Sequence, residues 1–182
     1  MKIVWSISLF LLCLAFNQVA LTQDRLTTTG ALDFWVSNTE KEVTSAAAAM
    51  PEEKYSFAPV AGEFNGVRTF AQQVKHVAAT NYRLAAYMLV QKPTPEQESE
   101  LGPDSIRSKA QILDYLAGSF AELHRAVATV NDGNAVSFIS GTARQHTRLQ
   151  FAIDAVAHSY DHYGQMVEYL RMNGIIPPAS RR

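Results

Sequence analysis

Four segments of the chain repeat apolar residues at three- and four-residue intervals, and none shows sustained period-two alternation. The pattern predicts an all-α fold, a four-helix bundle. The first helix is expected from about Thr28 to Met50, with Leu32, Trp35, Val36, Thr39, Val43, Ala46, Ala47 and Met50 on one stripe and Pro51 as its stop. Thr69-Phe70-Ala71-Gln72 has the form of a capping box: the threonine hydroxyl accepts from an orphan backbone N–H while the glutamine reaches back. It opens a second helix running to about Val90. Ser108-Lys109-Ala110-Gln111 opens a third in the same way, with Leu113, Leu116, Phe120, Leu123, Val127 and Val130 facing inward until Asn131-Asp132-Gly133-Asn134 breaks the pattern.

The start of the fourth helix has two solutions, because Thr142-Ala143-Arg144-Gln145 and Thr147-Arg148-Leu149-Gln150 both fit the box. Its end is better marked: the pattern runs to Asn173, Gly174 can take a left-handed cap, and Pro177-Pro178 cannot continue a helix. Of the connections, Tyr55 to Gly66 is rich in aromatics expected to cover one end of the bundle. Pro93, Pro95, Gly102 and Pro103 mark a loop between the second and third helices.

The N-terminus changes the picture. Lys2 followed by the apolar run from Ile3 to Phe16 reads as a secretory signal peptide, too short to span a bilayer comfortably. Residues 1–22 are assigned to it and 23–182 to the bundle domain. Export to the periplasm or cell exterior is therefore expected, with no membrane association after cleavage. Cys13 is the only cysteine and would leave with the signal, so neither disulfides nor thiolate ligands are expected afterwards. The net charge of −1, with no block of either sign, gives no reason to expect nucleic acid. Homodimerisation is compatible with a bundle of this size and is left open.

The chemistry is carried by His158-Ser159-Tyr160-Asp161-His162. Two histidines four apart on a helix lie roughly 40° from each other around the axis, so one divalent ion can bind both. A third ligand must come from a neighbouring helix, and His76 on the second helix is the candidate. Three imidazoles with an open fourth position suit a catalytic ion, one that acidifies a bound water, better than a structural one. The ordinary alternative is surface or hydrogen-bonded histidines that bind nothing.

Asp154, Asp161 and Gln165 share or border the face of the pair and are candidates to orient its rings. Gln73, Thr80 and Arg83 share the face of His76; the arginine either holds an anionic substrate or snorkels to solvent. His124 is read as a satisfied residue flanking the third helix's apolar stripe and His146 as solvent-exposed near a helix start. Imidazole ligation suits zinc, nickel, copper and iron alike, with Zn²⁺ or Ni²⁺ taken as the candidate ion. No paired ExxH motifs, CxxCH, phosphate loop or serine elbow is present.

From Leu32 to Ser180 the chain resembles the DinB-like (DinB/YfiT) superfamily of metal-dependent enzymes. The resemblance lies in Met50 to Phe57, in Val67 to Ala78, and in His158 to Gln165 followed by Tyr169 to Pro178. It implies a four-helix bundle in which one histidine of the second helix and the HxxxH pair of the last hold a divalent ion. His76, His158 and His162 fall on those positions. It also implies an enzyme acting on a small molecule, a transferase of the thiol S-transferase type or a hydrolase, with a non-catalytic metal- or ligand-binding module as the alternative.

Overall fold

The computed structural model describes residues 26–63, 65–140 and 146–181. The expected signal peptide, Phe64 and the Thr142 to Gln145 box lie outside them. The described residues form helices α1 (Thr28–Ala49), α2 (Phe70–Met88), α3 (Pro95–Glu98), α4 (Lys109–Val127) and α5 (Arg148–Met172), with no strand among them. Four long helices make the bundle, and α1 and α2 each pack on both α4 and α5. The fold is all-α, as the periodicity predicts.

Local chemistry sets the helix starts. Thr69, Ser108 and Thr147 each close a full capping box with Gln72, Gln111 and Gln150, so the later of the two candidate boxes opens α5. A fourth box, Thr94 with Gln97, and Pro95 at the first helical position fold α3, one turn of helix where the proline spacing suggested only a loop. At the other ends, Gly174 takes φ 74° after α5. α2 stops at Met88, two residues short of expectation, and α4 at Val127. The last carbonyls of α1 are met from another helix: Lys109 Nζ donates to Ala48 O at 2.8 Å and to Met50 O at 2.7 Å.

The core is one apolar cluster that includes Val36, Val43, Met50, Phe70, Val77, Leu116, Phe120, Leu123, Met166 and Leu170. Trp35, placed on the α1 stripe by its spacing, is instead 54% exposed, because Leu32, Val36, Thr39 and Val43 already fill the width that α4 and α5 cover. The aromatic loop behaves as expected in part. Tyr55 is buried, packs edge-on to Phe70 and donates to Ala47 O, and Phe57 packs edge-on to Tyr169, whereas Val60 is fully in solvent.

α2 and α5 run antiparallel. Gln73 meets His162 and Gln165 near one end of the contact, and Arg148 Nε donates to Met88 O at the other. This pairing carries the His76 turn of α2 onto the His158–His162 turn of α5.

Candidate metal centre

α2 buries a face that is unusually polar for a bundle core: Gln73, His76, Thr80 and Asn81 are all buried. His76 points from it toward α5, where His158 and His162 project one turn apart. The three ring centroids are 4.5 to 4.8 Å from one another, and one nitrogen from each ring lies within 4.8 Å of the others. His76 Nε2 and His158 Nε2 are 3.0 Å apart. Two nitrogens on one tetrahedral ion at about 2.0–2.1 Å would stand about 3.3 Å apart, so this edge is close to the spacing a shared ion requires.

The far side of two rings is anchored. His76 Nδ1 is 2.7 Å from the Glu100 carbonyl, which can only accept, so the ring carries its proton on Nδ1 and presents a bare Nε2. His162 Nδ1 is 2.6 Å from Gln73 Oε1. Gln73 Nε2 donates to Gln165 Oε1 at 2.8 Å, and Gln165 Nε2 donates to the Asp161 carboxylate at 3.1 Å. That chain leaves Gln73 its oxygen for His162, which therefore also presents Nε2. His158 Nε2 faces the bare His76 Nε2 across the 3.0 Å edge. His158 Nδ1 is buried without a hydrogen-bond partner among the described residues.

All three rings are held neutral. Burial, then the neighbouring His162 and His76 rings, push His158 down to about 3. Burial, then His76, push His162 to about 4 against the opposing pull of Asp161. Burial also lowers His76, although its bond to the Glu100 carbonyl opposes the shift. The positive charges of Arg68 and Arg83 add to the lowering at His76 and His158. Arg68 is paired with the Glu100 carboxylate at 2.8 Å. Neutral imidazoles with directed lone pairs are the form that binds metal, so the residues fit one divalent ion.

The sequence candidates divide. Asp161 and Gln165 reach the site through Gln73. Asp154 is exposed and makes no hydrogen bond to any of the three rings among the described residues, so it orients none of them. Tyr169, on the same face of α5, donates to Arg68 O rather than to the histidines. His124 bridges Asp33 (2.6 Å) and Glu40 (3.1 Å) of α1, the satisfied flank role its place beside the stripe suggests. His146 is half-buried rather than solvent-exposed, because its ring packs 5.0 Å from Phe151 beside the Thr147 cap.

Two contributors were not legible as such. Gln73 stands one turn before His76, but its partner is a ring on α5. Glu100 lies in the connection after α3, and no local pattern marks its carbonyl.

A DinB superfamily model matches residues 36–166, most of the chain. The chain belongs to the DinB superfamily. Among solved structures, a DinB-like protein from Bacillus cereus ATCC 10987 is 18% identical, with a TM-score of 0.64 over 84% of this chain and 97% of that one. A conserved protein from Enterococcus faecalis is 15% identical, with a TM-score of 0.63 over 81% and 98%. At these identities the likeness concerns the fold. Comparison with curated proteins returned no match. The DinB bundle thus places the buried His76 and His162 and the half-buried His158 in one cluster compatible with a metal site.

Proposed function

We propose that this DinB-superfamily chain is an exported metal-dependent enzyme, a transferase of the thiol S-transferase type or a hydrolase, whose single divalent ion, Zn²⁺ or Ni²⁺, is held by His76, His158 and His162. The observation that carries this reading is the convergence of three neutral rings from two helices, with nitrogens within 4.8 Å of one another. When bound, such an ion supplies Lewis-acid polarisation of a substrate oxygen or acidification of a thiol or water.

The protein's own groups do the rest. Glu100 O and Gln73 Oε1 hold the Nδ1 protons of His76 and His162 and so fix both tautomers. Among the described residues no carboxylate contacts the Nε2 side of the rings, so the ligand set is three neutral nitrogens with a position left for substrate, the pattern of catalytic sites. Burial of the rings restricts water at the centre and strengthens its electrostatics. Export rests on the apolar stretch from Ile3 to Phe16 that follows Lys2.

The test is the metal content of the full chain, expressed for export without a histidine tag, beside His76→Ala and His158→Ala. The reading expects near-stoichiometric divalent metal in the parent and its loss in both variants. Metal-free parent protein that takes up neither zinc nor nickel would sink it. N-terminal sequencing of the protein recovered from the periplasm tests export, with a new terminus close to residue 22 as the expected result.

A further inference from the structure

Two guanidinium groups act on the histidine centre, and among the described residues only Arg68 has a carboxylate partner. Arg68 is paired with Glu100 at 2.8 Å. Arg83 follows His76 by seven residues on α2, which puts it roughly 20° around the axis and about 10.5 Å along it, on the same face. It is half-buried, and among the described residues it makes no hydrogen bond or ion pair. Its charge nonetheless reaches the His76 and His158 rings and disfavours their protonation.

Neither carboxylate flanking His158 on α5 completes it among the described residues: Asp154, one turn before His158, is exposed and forms no ion pair with Arg83, and Asp161 is bonded to Gln165. Three neutral imidazoles would leave a divalent ion's charge uncompensated. The ion and the guanidinium would then give the region around Arg83 and the three rings an excess of positive charge, which favours an anionic occupant. The planar guanidinium fork, partly withdrawn from water, matches a carboxylate through two parallel N–H···O bonds.

We propose that Arg83 anchors a carboxylate of a small substrate whose reacting end lies at the His76–His158–His162 centre. The inference rests on the metal-centre reading above and narrows its substrate class to carboxylates long enough to bridge from Arg83 to the three rings. Arg83 sets affinity and orientation, and an uncharged analogue of the same shape forfeits both.

Calorimetric titration of the zinc-loaded full chain with succinate, glutarate and adipate, each beside its diamide, tests the proposal. Zinc content is measured on every sample. At least one dicarboxylate is expected to bind the parent ten or more times tighter than its diamide. Arg83→Gln should lose that tenfold preference, and Arg83→Lys, which keeps charge without the fork, should fall between. Circular dichroism and zinc content should be unchanged in both variants. Equal dicarboxylate binding by parent and Arg83→Gln, or no binding by zinc-loaded parent, would overturn the assignment while leaving the metal centre standing. A parent that takes up no zinc removes the metal centre and the proposal with it.

Discussion

Gln73 Oε1 lies 2.6 Å from His162 Nδ1, and that contact decides which nitrogen of His162 faces the other two rings. The amide cannot turn over without cost, because its nitrogen is already committed to Gln165 and, through it, to Asp161. Replacing Gln73 with leucine would keep most of the volume but release the His162 ring and leave its Nδ1–H without an acceptor. Zinc affinity, read by competition with a chelator, should fall about 10- to 100-fold. Unchanged affinity in a folded variant would show that the contact does not orient the ligand.

His124 ties α4 to α1 through two carboxylates. Burial lowers its pKa, but the hydrogen bonds its ring donates to Asp33 and Glu40, and the charges of those carboxylates, outweigh that and raise it overall. A pKa raised in the folded state contributes stability that is complete below the unfolded value of about 6.5 and disappears as pH rises through the folded value. His124→Gln should therefore cost more stability at pH 5.5 than at pH 9, measured by urea unfolding against the parent at each pH. A difference that is flat or grows with pH contradicts the clasp.

Lys109 is the main donor to the end of α1, serving two carbonyls that have no partner within the helix. Lys109→Met keeps the aliphatic stem and removes the ammonium. Charged hydrogen bonds of this kind contribute about 1.5–3 kcal/mol. A loss of about 2 kcal/mol in urea unfolding is expected, and a loss below about 0.5 kcal/mol would mean that water replaces the ammonium without penalty.

Val90 follows α2 with φ 58°, a left-handed conformation that a β-branched side chain resists. The residue is 55% exposed, so little packing offsets the strain. The left-handed form costs a side-chain-bearing residue about 1–2 kcal/mol, and glycine gives back about 0.5–1 kcal/mol in unfolded-state entropy. Val90→Gly should raise stability by about 0.5–1 kcal/mol, or about 2 °C in Tm for a chain of this size. A fall in Tm would show that the Val90 side chain contributes packing that outweighs the strain.

The sequence alone determined the four long helices, apart from which of two boxes opens the last, because their signals are local. The apolar period marks the stripes, and the Thr69, Ser108 and Thr147 boxes satisfy orphan N–H groups within a single turn. The spacing of His158 and His162 is also a property of one helix, and with His76 it was enough to name the three rings. Tertiary structure decided what surrounds them. The antiparallel fit of α2 on α5 gave His162 its partner in Gln73, and the connection after α3 delivered the Glu100 carbonyl to His76, 24 residues away. Asp154 shares a helix face with His158 yet is exposed, because the face of a single helix does not reveal how far its neighbours extend over it. A hydrogen bond needs two groups within about 3 Å, and between separate elements only the packing of their side chains sets that distance.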